Sequence, residues 1–542
     1  MKYMKFFFII AAFATLSSCS KNFLETRPTD FLSPETYYTT EAQLNSALMG
    51  VYDPLGYETM YGNNLFSNLV IATDEGFWNR NAQTTGTMVY SFDYTNADVA
   101  GLWAACYQGI ERANMLIANI AKPEMDEAKR QNILGQALFL RGYYYFLLVN
   151  NYGGVPLKLE PQGSPNVVNR PRTPAAEVYA QVIKDMTDAE SKLNTITANG
   201  NPGAISKTAV QGVLARVCLR MAGHPLNDNA KYAEALGWAQ KVEASGEHAL
   251  KTTFSSPFAN GAYAQIFIDH ARERAYDIKE NLWEIEFFGN RISDSYQEAG
   301  RLGNTLGLAF GGPDNLDTLG YSYGFVNTTR RHYLRYANGD LRRDWAIAPY
   351  RQNNGSPFAR VNWTATTIYN RNVGKWRRVT EQLVPKNKNY TPINFPVLRY
   401  ADVLLMIAEA ENEVNGPTAV AYNALNQVRR RAYGLPLTAT SATADAPSGM
   451  SKDAFRTFIQ EERARELCYE GVRKYDLIRW GIFVQRMNEI GTEIETDATN
   501  TAFKWGSLAG KNVEAKHLLL PIPSSEMSVN KAIKPADQNT GW

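Results

Sequence analysis

The sequence predicts a mainly α protein: stacked, tetratricopeptide-like helical hairpins that present a loop-rich middle with a few short strands. Three observations lead there. Apolar residues recur at steps of three and four through most of residues 41–245, the signature of one buried face per helix. From about Lys251 to Pro396 that periodicity mostly fails, and Gly, Asn, Ser and aromatic residues dominate. Helical periodicity then returns at Arg399. Successive amphipathic helices are what stacked helical hairpins require, so two separated parts of the chain are expected to build one scaffold around the irregular middle.

The chain opens differently. Lys2 and Lys5 lead into an eleven-residue apolar run, Phe6 to Leu16. A membrane span needs about 20 such residues, whereas this run has the length of a signal-peptide h-region. Leu16-Ser17-Ser18-Cys19 follows and looks like a bacterial lipobox, in which cleavage leaves Cys19 as a lipidated N-terminus. The alternative is an ordinary signal peptide cut at the small residues. Acyl chains on Cys19 would hold the body at a membrane surface, since each buried CH₂ contributes about 0.8 kcal/mol. Residues 1–18 are therefore read as a leader. Residues 19–542 are read as one compact unit: an N-terminal helical part (19–250), a ligand-binding loop-rich region (251–395) and a C-terminal helical part (396–542).

In the first part, Trp103, Tyr107, Ile110, Asn114 and Ile117 mark one helix face, and Leu134, Leu138, Arg141, Tyr145 and Leu148 the next. Gly153-Gly154 and Pro156 should stop that second helix. Thr173 is expected to cap the following one, with Pro174 at its first position. Val178, Val182, Met186, Ala189 and Leu193 form its stripe. Ser206 should cap a helix carrying Ala209, Val213, Val217 and Met221, and Tyr232, Ala235, Ala239 and Val242 mark another. In the middle, residues 282–288 read as a short strand, while Gly300–Tyr323 and Arg351–Lys375 read as loops. Loops of such length are usually functional or disordered, and their aromatic content argues against disorder. The last part predicts helices over 399–414, 418–432, 451–469 and 473–487.

Composition narrows the function. Across 542 residues, 56 Lys+Arg face 54 Asp+Glu, and loss of the leader's two lysines takes the formal charge from +2 to 0. Phosphate binding usually demands a basic excess, so nucleic acid is not expected as the partner. After Cys19 there remain Cys106, Cys218 and Cys468, far apart and without CxxC spacing, so neither a zinc site nor a disulfide framework is implied. Cys106 and Cys218 fall on apolar helix faces as small core residues. The five histidines are scattered, and no HExxH, GxSxG or P-loop occurs. No catalytic residue, metal or cofactor is expected. Asp74-Glu75 and Glu284/Glu286 are the carboxylate pairs a glycosidase reading would need at about 5–10 Å, but neighbouring residues such as Asp74 and Glu75 do not easily face one substrate. Glu462, Arg465, Glu466 and Glu470, then Arg473, Asp476 and Arg479, are spaced to pin helices through Arg–carboxylate pairs.

The most specific text lies near the C-terminus: Phe395-Pro396-Val397-Leu398-Arg399-Tyr400-Ala401-Asp402, Glu461-Glu462-Arg463-Ala464-Arg465-Glu466-Leu467, Glu470-Gly471-Val472-Arg473-Lys474-Tyr475-Asp476-Leu477-Ile478-Arg479-Trp480-Gly481 and Leu519-Leu520-Pro521-Ile522-Pro523. Earlier come Arg112-Ala113-Asn114, Arg141-Gly142-Tyr143-Tyr144-Tyr145 and Tyr152-Gly153-Gly154-Val155-Pro156. In this order the blocks closely resemble the SusD-like (RagB/SusD) family of nutrient-binding outer-membrane lipoproteins. The resemblance implies an α-superhelix of four tetratricopeptide-like helix pairs that supports a loop-rich variable region, a SusC-like TonB-dependent transporter as partner, and an oligosaccharide or polysaccharide as the usual ligand. It implies an anchor in the outer membrane through the lipid on Cys19, facing the cell surface, although Ser20-Lys21-Asn22 lacks the acidic cluster that marks many exported lipoproteins. Peptide capture by the same architecture, or a scaffold that binds only proteins, are the alternatives.

Sugar binding calls for flat rings against the C–H face of a pyranose and planar hydrogen-bonding groups at its hydroxyl rim. Three stretches offer that mixture. Trp78, Asn79, Arg80 and Asn81 lie together in one, residues 73–81; Tyr321 and Tyr323 stand in the Gly-rich middle, with Asp317 and Asn327 near them; Trp363 follows Asn362. Each ring could instead anchor its loop to the helical body. Trp103, Trp238 and Trp480 lie in helical segments and read as packing residues, and Trp283 as core.

Overall fold

The computed structural model describes residues 37–164, 167–258, 261–272, 275–288, 300–312, 318–353 and 360–542. Cys19, the leader and Asp317 lie outside them. Short polar side chains start several of the helices, accepting from the first free backbone N–H groups. Thr40 caps α1 (Glu41–Tyr52), Asn96 caps α2 (Ala97–Asn119), Asp126 caps α3 (Glu127–Tyr152) and Ser206 caps α5 (Lys207–Ala222). Helix α4 (Ala175–Glu190) departs from expectation: Pro174 is itself the residue before the helix, and Thr173 is held in a bridge to Val155 rather than capping. The chain then forms α6 (Lys231–Ala244), α7 (Ala262–His270), α8 (Tyr400–Asn415), α9 (Ala419–Ala432) and α10 (Lys452–Leu467). The helix predicted over 473–487 is two. Helix α11 (Arg473–Arg479) stops at Trp480-Gly481, where Gly481 takes φ +73°, and α12 (Phe483–Thr496) starts afresh.

Helices α1 to α6 pack in sequence, each against its neighbours, and α8 then packs on α6, with α9 and α10 on α8. The two helical stretches thus form one stack, although about 150 residues separate α6 from α8. One hydrophobic cluster runs through both, including Cys106, Cys218 and Trp283, all fully buried. Close approach is built in: a Cβ at Gly109 of α2 would lie 2.2 Å from the Tyr144 ring of α3. Polar side chains tie the same pairs, as when Arg141 of α3 holds Asp185 of α4 through two hydrogen bonds of 2.8 and 2.7 Å.

The described strands are short and form antiparallel pairs. β1 (Gly76–Trp78) pairs with β3 (Val326–Thr328), β2 (Asn281–Ile285) with β6 (Phe395–Arg399), and β4 (Tyr350–Gln352) with β5 (Arg360–Asn362). β2 is the strand predicted at 282–288, shorter at its far end. Trp283 on it meets the Tyr143 ring edge-on at 4.6 Å, which joins the strands to the helical core. Among the described residues no helix is long and apolar enough to cross a membrane.

Candidate functional site

Strand pairing between β1 and β3 brings the first predicted stretch to the second. Trp78 lies opposite Val326, and the Asn79 N–H donates to the Phe325 carbonyl at 2.8 Å. Just upstream of β3 the chain turns at Gly324, which takes φ +54°, and the rings of Tyr321, Tyr323 and Phe325 come together there. Their rings form a row. Tyr321 meets Tyr323 edge-on at 5.0 Å, Tyr323 stacks on Phe325 at 5.0 Å, and Phe325 stacks on Trp78 at 4.7 Å. Exposure falls along the row: Tyr321 and Tyr323 are half-buried, and Trp78 keeps 9% of its surface.

Trp78 is therefore not the exposed platform the sequence suggested; it is the buried foot of the row. Asn79 is buried too. Its amide donates to the Gly324 carbonyl (2.6 Å) and to Asn327 Oδ1 (2.7 Å), and Asn372 donates to the same two acceptors. These amides hold the loop that carries the tyrosines. Asn81 is exposed and does not line the cleft described next.

An open cleft of about 410 Å³ runs past the row. Tyr321, Tyr323 and Asn79 line it, and so does Trp363, brought by the β4–β5 hairpin, whose backbone N–H donates to Pro349 at 2.9 Å. The indole N–H of Trp363 is shielded and has no partner among the described residues. Arg80, from the predicted stretch around Trp78, lines the cleft as well; sequence reasoning missed Phe310, Arg351, Asn370 and Phe503, which also line it. Arg80 donates to Asn79 Oδ1 and to the Tyr323 carbonyl (2.7 Å), with its guanidinium 4.8 Å from the Phe325 ring. Its place beside Asn79 and Asn81 was a usable signal. Phe503, from beyond α12, carried none.

The carboxylates weighed for hydrolysis lie elsewhere. Asp74 is fully buried and receives two hydrogen bonds of 2.8 Å from Arg473, with Arg335 beside it. Burial opposes its ionisation, but Arg335, Arg473 and Arg486 outweigh that and hold the carboxyl well below the usual range. Glu75, buried and next to the Asp74 charge, is pushed up to about 8. Glu284 is buried while Glu286 is exposed. Burial above all, with Glu286 nearby, takes Glu284 up to about 8, and its other neighbour, His270, is lowered by burial to about 4. Neither pair reaches the aromatic cleft.

The SusD family model matches residues 322–542, and a second, described as starch-binding associating with the outer membrane, matches residues 22–219. The chain belongs to the SusD family. Two SusD-like proteins of Formosa agariphila are each 26% identical to it, one over 97% of both chains and the other over 100% of both. A SusD homologue from Bacteroides thetaiotaomicron superposes with a TM-score of 0.84 at 28% identity, covering 96% of this chain and 100% of its own. A surface glycan-binding protein A from the same organism, in complex with laminarihexaose, shares the fold with a TM-score of 0.68 at 20% identity, over 92% and 100% of the two chains.

In this SusD-like chain the blocks that carry the resemblance are architectural. Glu466 is fully buried and accepts from Arg342 (3.1 Å), Arg399 (3.0 Å) and Arg431 (2.6 Å). Glu470 accepts from Arg399 (2.8 Å) and from Lys375 Nζ (2.6 Å). Arg463 links Asp402 to Asp476 at 2.7 and 2.8 Å. Burial works against these carboxylates, yet the arginines win and bring Glu466 and Asp402 down to about 2. Arg342 and Lys375 come from the irregular middle, so the network fastens that region to the helices.

Proposed function

We propose that the protein is a surface lipoprotein, anchored in the outer membrane through Cys19, that captures an oligosaccharide or polysaccharide without transforming it and passes it to a SusC-like TonB-dependent transporter. One observation carries the ligand reading: Tyr321, Tyr323 and Trp363, from two separate loops, line a single open cleft with asparagine side chains and arginine. Half-buried rings offer faces for pyranose C–H groups, and the planar amides and guanidinium suit hydroxyls. The tyrosine loop is braced by buried Trp78 at the foot of the row and by the Asn79 and Asn372 amides, as a binding site on loops requires. Neighbours of the same fold described as a laminarin-binding SusD-like protein and as surface glycan-binding proteins agree with this class of ligand. The region 251–395 supplies most of the cleft, with contributions from Asn79, Arg80 and Phe503. The transporter partner and the anchor rest on family membership and on Leu16-Ser17-Ser18-Cys19.

The test is retardation of the mature chain, residues 20–542, in affinity gels containing a panel of neutral and acidic polysaccharides. Tyr323→Ala should weaken binding to the retarding polysaccharide about tenfold or more, the loss expected when one stacking face goes, and leave a cooperative thermal melt in place. Absence of binding to every polysaccharide would sink the glycan reading.

A further inference from the structure

The cations at the cleft face different groups from those of the buried arginine–carboxylate network. In the interior, Arg342, Arg399, Arg463, Arg473 and Arg479 each meet carboxylates. Around the cleft the cations meet rings: Arg80 and Arg351 line it, and Lys388, which does not, lies against the lining ring of Tyr321. The guanidinium of Arg80 lies 4.8 Å from Phe325, that of Arg351 5.8 Å from Trp363, and the ammonium of Lys388 5.0 Å from Tyr321. All three residues are exposed. Among the described residues none of the three pairs with a carboxylate, the Arg351 and Lys388 side chains have no hydrogen bond, and no aspartate or glutamate lines the cleft. Carboxylates on bordering elements are committed: Asp344 to Arg343 at 2.9 Å, and Asp497 to the Tyr369 hydroxyl at 3.2 Å and to Arg330 at 3.4 Å.

Composition does not account for this, because acids and bases are nearly equal over the chain. Cations of one sign in a cleft with apolar walls focus the field there. The fork of donors on Arg351 is unspent and matches a carboxylate or a sulfate, while Arg80 keeps only the N–H groups it does not give to Asn79 and Tyr323. A neutral sugar could accept from these donors but would bring no opposite charge to them. We propose that the cleft takes an anionic saccharide, whose ring stacks on the tyrosines or Trp363 and whose carboxylates or sulfate esters meet Arg351 and Arg80 in the cleft and Lys388 beside Tyr321. The inference rests on the glycan reading above and names the class of sugar within it.

Charged and neutral polymers of one backbone separate the possibilities. The mature chain is run against polygalacturonate and its methyl ester, and against dextran sulfate and dextran, at 50 and 500 mM NaCl. The variants are Tyr323→Ala and the double variant Arg351→Gln/Lys388→Gln, whose side chains hold no backbone group in place. Retardation by one charged polymer, absent with its neutral counterpart, is expected; which pair responds tells carboxylate from sulfate. The double variant should weaken it roughly tenfold, as loss of two exposed charge contacts implies, and high salt should do the same. Tyr323→Ala should weaken it as well. A neutral polysaccharide bound as tightly, with no effect of salt or of the double variant, would overturn the charge inference and keep the glycan reading. Retardation by charged polymers that survives both variants would place the binding outside the cleft and overturn the inference. Binding to no polysaccharide would remove both.

Discussion

Arg399 and Arg351 carry the same side chain in opposite surroundings. Arg399 is fully buried and donates to Glu280 (2.9 Å), Glu466 (3.0 Å) and Glu470 (2.8 Å). Arg351 is exposed, 5.8 Å from the Trp363 ring, and meets no carboxylate among the described residues. A buried charge must be matched inside the protein, because desolvating it alone costs several kcal/mol. An exposed one can stay unmatched until a ligand arrives. The contrast separates what holds this SusD-like molecule together from what it offers to a partner: the blocks that reveal the family belong to the first, and the cleft to the second.

The hardest test of that division is Glu466→Ala. It would leave Arg342, Arg399 and Arg431 short of an acceptor in a dry interior, and removing one partner of a buried network costs about 3–5 kcal/mol. Chemical denaturation should show the loss, and polysaccharide binding should fall only as the folded fraction falls. Intact stability with lost binding would put Glu466 on the ligand side and break the comparison.

Trp78→Ala probes the boundary between the regions. As the buried foot of the aromatic row, Trp78 should cost about 3 kcal/mol or more when removed, and the Phe325–Tyr323 stack should loosen, so binding falls as well. Tyr323→Ala should reduce binding with little loss of stability. If Trp78→Ala abolished binding at full stability, the tryptophan would be a ligand platform after all.

The difference between the regions also explains what could be read from the chain. Helical periodicity is a local signal, and α8, α9 and α10 begin within a residue of where the pattern placed them. The break at Gly481 was missed because one glycine looks tolerable inside a helical stripe until its left-handed φ is seen. The cleft depends on distant pairing: Asn79 and Gly324 are 245 residues apart. Whether Trp78 faces in or out follows from its partner strand, and successive residues on a strand point to opposite faces. The rings at 321, 323 and 363 were legible as types suited to sugar, whereas Arg351 and Phe503 gained meaning only from what they stand beside.

Glu284 is the mirror image of Arg351, a carboxylate without a cation, and gives the gentlest test. It is buried, accepts from Asn394 Nδ2 at 2.8 Å, and lies 3.5 Å from His270 Nε2. Burial first, then the charges of Glu286, Asp277 and Asp269, lift its carboxyl from 4.5 to about 8. The folded protein therefore holds a proton that the unfolded chain releases, so this group's contribution is full below about pH 4.5 and declines as pH rises toward 8. Glu284→Gln keeps the shape and the hydrogen bonding to Asn394 while removing the titration. Its stability relative to wild type should rise between pH 6.5 and 8.5, above the titration of His270, by about 1–2 kcal/mol. Urea midpoints across that range measure it. A flat difference would mean that a cation or water answers Glu284 as the arginines answer Glu466.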